Sequence, residues 1–163
     1  MKLKQLSIPL ENSPGRLHDV TKALGDAGIN LRAHCICDST HDFGVLRILV
    51  SDLASARGVI MERYIPARVD DVVAVEIEDT PGSLARILNL FLGTKVNVEY
   101  MYAFVERNAG NAVIIFRFDE VDNAIAVLNG KGVSILSGEK LILSKERDRE
   151  KQYDKCEIFH PAK

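Results

Sequence analysis

The chain of 163 residues has no apolar run long enough to cross a bilayer. Its first residues, Met1-Lys2-Leu3-Lys4-Gln5, lack the apolar stretch of a secretory leader. It also lacks a charge excess. Twenty-one basic against 23 acidic side chains leave a net charge of −2, which argues against nucleic acid or an anionic membrane as partner. Cysteine is scarce: three residues cannot all pair within one chain, so a reducing, cytoplasmic setting is expected rather than secretion. Between residues 71 and 143 there is neither histidine nor cysteine, and no Gly-rich phosphate loop follows a strand. No catalytic constellation emerges, and no cofactor is expected.

What the chain does contain is a repeat. Asn12-Ser13-Pro14-Gly15-Arg16-Leu17 recurs 67 residues later as Asp79-Thr80-Pro81-Gly82-Ser83-Leu84. A hydrophobic strand precedes each copy, and Ile29-Asn30 or Val96-Asn97 follows it. In both copies 18 positions separate the first polar residue from that Asn. A spacing kept between polar side chains points to a site as well as to two similar halves.

Each half reads as strand, helix, strand, strand, helix, strand. In the first, Leu6, Ile8 and Leu10 alternate with Gln5, Ser7 and Pro9, the period of a half-buried strand. Ser13 is expected to cap a helix that begins at Pro14 and carries the stripe Leu17, Val20, Ala23, Leu24 and Ala27. Gly28 suits its C-terminal end. Ile29, Leu31, Ala33, Cys35 and Cys37 are expected on one inner face of the next strand, Val45 to Val50 form the third, and Asp52 caps a second helix. In the second half Val96, Val98, Tyr100, Tyr102 and Phe104 repeat that inner face. The expected fold is α+β: two ferredoxin-like βαββαβ repeats, side by side in an eight-stranded antiparallel sheet with helices on one face. The expected units are residues 1–70, 71–143 and a charged tail at 144–163.

A helix start carries unpaired N–H groups and partial positive charge, so a small carboxylate can dock there. Asn12 or Asp79 beside it can accept bonds from an ammonium group. Together they form a plausible receptor for a free α-amino acid, although Asn and Asp also serve merely to shape turns. The Asn/Asp-x-Pro-Gly-x-Leu turns, the "GDAGIN" and "TKVN" strand entries and "NVEYMYAF" resemble tandem ACT-domain proteins, a family of amino-acid-sensing regulatory modules. The resemblance covers about residues 4 to 140. It implies that Asn12 and Asn30, and Asp79 and Asn97, grip the ligand's amino and carboxylate groups. Some relatives carry a His two residues before the first Asn, where this chain has Leu10 and Ile77.

Sheet order 4-1-3-2, usual for this fold, leaves the second strand of each half as an edge. Pairing those two edges would give composite sites, Asn12 with Asn97 and Asp79 with Asn30. The ligand-binding set is therefore Asn12, Pro14, Gly15, Arg16, Leu17 and Asn30 in the first half. In the second it is Asp79, Pro81, Gly82, Ser83, Leu84 and Asn97. The first-copy site is expected to be the better one, because Gly28 is replaced by Lys95 in the second.

His34, Cys35, Cys37, Asp38 and His41 form the densest group of metal-ligand residue types, but strand alternation points them to opposite faces. Cys35 and Cys37 are expected to be buried and unliganded. The function expected is a small regulatory amino-acid sensor without catalysis, working as a homodimer on a regulated protein partner. The alternative is an interaction module with vestigial sites and a charged tail that contacts a partner. A thiol or metal sensor is the third reading.

Overall fold

The computed structural model describes residues 1–38, 41–108 and 111–141. The charged tail and Cys156 lie outside the described residues. The elements follow the expected order: β1 (Leu3–Glu11), α1 (Arg16–Asp26), β2 (Leu31–Asp38), β3 (Phe43–Val50), α2 (Leu53–Met61) and β4 (Arg68–Glu78). They continue with α3 (Ser83–Asn89), β5 (Val98–Asn108), β6 (Asn111–Phe118), α4 (Val121–Gly130) and β7 (Ile135–Leu136).

The sheet order is β2-β3-β1-β4-β6-β5, with β7 also on β4. Within each half this is the expected order. The way the halves join is not. Among the described residues the sheet has seven strands rather than eight, because the last strand of the first half and the first strand of the second are the same strand. Residues 68–72 of β4 pair with β1, while 73–78 pair with β6 and 74–75 with β7. The sequence from Arg68 to Glu78 holds no Gly, Pro or Asn, so nothing breaks the strand between the halves. The two second strands, β2 and β5, remain at opposite ends of the order instead of pairing with each other.

The sheet curls so that its inner face closes on itself, with the helices outside. Outer-face residues Leu6, Ile8, Leu46 and Ile48 pack under α1 and α2 with Val20, Leu24 and Ile60. Val73, Val75, Phe116 and Phe118 pack under α3 and α4 with Phe91, Ala124 and Leu128. Between the inner faces lie Leu3, Ala33, Leu49, Val72, Ala74, Phe104, Val113 and Ile115. Polar groups accompany them there. Gln5 is fully buried; it donates to the Ser7 and Tyr100 hydroxyls at 3.0 and 2.7 Å and accepts from Tyr102 at 2.9 Å. Ser7 donates to Asp70 at 2.7 Å, and Arg68 pairs with the same carboxylate at 2.8 Å. The Arg47 guanidinium lies 4.0 Å over the Tyr100 ring. Such a network satisfies polar groups that would each cost about 1–3 kcal/mol if left unpaired.

A register irregularity falls between Leu31 and Ala33, and another between Val98 and Tyr100. An extra residue flips the side-chain alternation. Leu31, Val96 and Val98 therefore pack on the helix side, and Ala33, Tyr102 and Phe104 on the inner side, so neither expected single face exists. Burial of β2 also fades along its length. Ala33 is buried, Cys35 half-buried and Cys37 exposed, which corrects the expectation that both cysteines are core residues. Burial pushes the Cys35 thiol up to about 11, with the neighbouring Cys37 adding to the shift. Burial likewise raises the Tyr102 phenol.

Candidate functional site

The repeated hexapeptide does not start its helix where capping rules place it. In both halves the Pro-Gly pair forms a turn first. The Arg16 N–H reaches the Ser13 carbonyl at 3.3 Å, and the Ser83 N–H reaches that of Thr80 at 3.2 Å. Gly15 has φ 91°, ψ −24° and Gly82 has φ 85°, ψ −5°. Proline at the second position and a left-handed glycine at the third define a type II turn. Gly15 and Gly82 are then the N-caps, and no side chain caps either helix. Ser13 and Pro14 therefore stand before the helix. The far end of α1 is as expected: Gly28 sits at φ 72°, and the Ile29 N–H bonds the Leu24 carbonyl at 2.9 Å. Asp52 caps α2, accepting from the Ser55 N–H at 3.1 Å.

In the first half, Asn12 docks the turn onto the β2–β3 connection. Its N–H donates to the Asp42 carbonyl at 2.7 Å, and its Nδ2 to the His41 carbonyl at 3.2 Å. The amide is thereby oriented, and Oδ1 is left as the acceptor. Arg16 lies 3.6 Å from Glu11. The Arg16 N–H is already engaged in the turn, while those of Gly15, Leu17 and His18 take no backbone partner among the described residues. A small cleft here is lined by Glu11, Asn12, Ser13, Leu17, Ile36 and Gly44. Leu17 and Ile36 also line a second, mostly apolar cleft of about 390 Å³ between α1 and β2, with Thr21, Leu31, His34 and Leu46. That volume is within the range of about 300–1,000 Å³ common for ligand sites.

The second turn is furnished differently. The Arg86 Nη2 donates to Glu78 at 3.0 Å, to the Ser83 hydroxyl at 2.7 Å and to the Thr80 hydroxyl at 3.3 Å. Ser83 is 4% exposed, and its hydroxyl also meets that of Thr80 at 2.8 Å. Asp79 is exposed beside this network.

The two strand-entry asparagines are held alike. The Asn30 N–H donates to Ser51 Oγ at 3.0 Å, and the Ser51 N–H returns to the Asn30 carbonyl at 2.9 Å. The Asn97 N–H donates to Asp119 Oδ1 at 2.8 Å, and the Asp119 N–H returns to the Asn97 carbonyl at 3.2 Å. Both asparagines are exposed. One chain does not bring the expected pairs together. Through the registers Leu3–Val72 and Val73–Phe116, the end of β6 lies level with the start of β1. Asn97 is then about seven residues short of Asn12 along the strands, ~23 Å at about 3.3 Å per residue. Asp79 and Asn30 are offset by a similar distance. The two β2-type edges, inferred to pair, stand at opposite ends of the sheet order among the described residues.

Sequence reasoning missed Arg86 and the cleft residues Thr21, His34 and Ile36. Arg86 had a signal: its repeat counterpart is Asp19, a reversal of charge within the first turn. His34 lines the outer cleft while Cys35 faces inward, as alternation requires. Among the described residues no group of three or more His, Cys, Asp or Glu could hold a metal ion, and no helix is long and apolar enough to cross a membrane.

The family model for the ACT domain pair matches residues 1–144. Protein BT0572 from Bacteroides thetaiotaomicron is 39% identical, with a TM-score of 0.79 over 86% of this chain and 96% of that one. The regulatory subunit of aspartate kinase from Thermus thermophilus, in a ligand-free form, has a TM-score of 0.56 at 15% identity, over 78% of this chain and 90% of that one. Its Thermus flavus counterpart has a TM-score of 0.56 at 17% identity over the same shares. Likeness at that level of identity shows a shared fold. No curated protein matches.

Proposed function

The chain belongs to the ACT domain pair family, and we propose that it is a regulatory protein that binds a free amino acid at the Asn12 turn. One observation carries this reading. An oriented Asn12 amide and Leu17, at the start of α1, line the same cleft, which shares Leu17 and Ile36 with an apolar one.

The ligand carboxylate takes the Gly15 and Leu17 N–H groups, at the positive end of α1. Its ammonium donates to Asn12 Oδ1. An uncharged, apolar or aromatic side chain extends between α1 and β2, over Leu31 and Leu46. Glu11 and Arg16, already facing each other, give the rim no excess of either sign. Since Asn97 of the same chain is distant, it completes the shell only in a second copy, which makes ligand binding and self-association linked equilibria. The regulated partner reads that association.

Thermal-shift measurements with the twenty amino acids test the reading. A ligand at 100 times its dissociation constant should add about 2.7 kcal/mol of stability. Losing a hydrogen bond to a charged group costs about 1.5–3 kcal/mol, so Asn12→Ala should weaken binding by roughly tenfold or more. Unchanged affinity in Asn12→Ala would place the ligand elsewhere.

A further inference from the structure

The two turns have the same backbone and each borders a cleft, but only at the second does a cation of the chain itself line that cleft beside the turn's hydroxyls. We infer that Arg86 closes the second turn to amino acids, so that each chain carries a single ligand site, at Asn12. The inference rests on the amino-acid reading of that turn.

The Arg86 guanidinium stands on the turn as a cation supplied by the chain itself. A positive charge at a helix start opposes the helix dipole. It is held there by three acceptors on the turn and the strand end before it: Glu78, Thr80 and Ser83. Nη1 also reaches to 3.7 Å from where a β-carbon on Gly82 would sit, so the side chain covers the glycine as well as the hydroxyls. A ligand ammonium directed to Asp79 would meet this guanidinium beside it. The buried Ser83 hydroxyl, which faces the same place, is already bonded twice.

The first half has no equivalent. The counterpart of Arg86 is Asp19, whose carboxylate lies 3.7 Å from His18 and attracts an ammonium rather than repelling it. No side chain comes within 4 Å of a β-carbon built on Gly15. The neighbouring apolar cleft is changed too: Thr21 corresponds to Leu88 and Ile36 to Ala103, so the second half offers a different surface beside its turn. Helix α3 has 7 residues against 11 for α1, which leaves it a weaker aligned dipole with which to hold a carboxylate.

Isothermal titration with L-leucine, L-methionine, L-phenylalanine and L-histidine as probes, with circular dichroism as a check on folding, tests this. The wild type should bind one molecule per chain. Arg86→Ala should bind two, the second more weakly than the first, and Arg86→Lys, which keeps the cation, should stay at one. Asp19→Arg should lose the first site while keeping its spectrum. Two molecules per wild-type chain would overturn the inference, as would Arg86→Ala remaining at one or losing binding, the last because Arg86 would then be a carboxylate ligand. A wild type that binds no probe refutes the Asn12 reading alone. Arg86→Ala must then still gain a site, and its failure to do so overturns the role of Arg86 as well.

Discussion

At Gly15 and Gly82 the backbone takes nearly the same angles, and proline precedes each glycine, yet the two turns present opposite chemistry. In the first, the turn is tied down from outside by the β2–β3 connection through Asn12. In the second, the turn is tied down from within by Arg86. Backbone conformation follows from Pro-Gly and tolerates change around it. Which side chain stands on the turn is set by a residue one helical turn later, Arg86 in the second half and Asp19 at the matching position in the first.

The cores below the turns differ as well, and the largest expected effect breaks that comparison. The second half is built on aromatics: Phe118 is fully buried, 5.0 Å from Phe91 and 5.5 Å from Phe116 between ring centroids. Its counterpart in the first half is the partly buried Val50. Phe118→Ala should cost about 3–5 kcal/mol in denaturant unfolding, and Val50→Ala less than about 2 kcal/mol. Because β4 is common to both halves, the loss should appear in a single transition. Two separate transitions would show that the shared strand does not couple them.

A smaller effect sharpens the comparison of the turns. Gly15→Ala forces a β-carbon into left-handed backbone where nothing crowds it, so the cost is conformational, about 1–2 kcal/mol. Gly82→Ala carries the same strain, and its β-carbon would lie 3.7 Å from Arg86, an ordinary van der Waals contact. The two substitutions should therefore destabilise about equally. A much larger loss at Gly82 would mean that the Arg86 network is rigid.

The smallest effect concerns β2, which has no counterpart in thiol chemistry on β5. Burial holds the Cys35 proton more tightly in the folded chain, up to about 11 against an ordinary value of 9.0. The folded state then binds more protons than the unfolded one between those values. That part of the stability is intact below pH 9 and declines as pH rises toward 11. Cys35→Ser should flatten the alkaline limb of a stability–pH curve. At pH 8, iodoacetamide should modify exposed Cys37 before half-buried Cys35 in a Cys156→Ser background. Equal rates would mean that β5 does not cover the start of β2.

Much of the fold was legible in local pattern. Period-2 alternation puts Leu6, Ile8 and Leu10 in the core under the helices, and the helical stripe puts Val20, Ala23 and Leu24 there, as expected, but Gln5 and Ser7 on the other face of the strand are buried too and Leu17 is exposed. The site was legible as a set of polar residues around Pro-Gly, but not as a geometry. The turn type needed the competition between Ser13 as a cap and Gly15 in left-handed backbone to be decided, and proline with glycine won. The irregularities after Leu31 and Val98 leave no mark in composition, since apolar residues continue on both sides of each.

By itself the sequence determined two βαββαβ halves, the apolar face of β1 under the helices and the recurrence of Pro-Gly before a helix in each half, because helices and strands answer to neighbours a few residues away. Tertiary structure decided how the halves share β4 and how the sheet curls over Gln5, Ser7 and Asp70. It also exposed Cys37 and kept Asn12 apart from Asn97. Those outcomes depend on which strand edges meet, and edges carry the same N–H and C=O groups everywhere. Only the packing of whole faces against one another chooses among them.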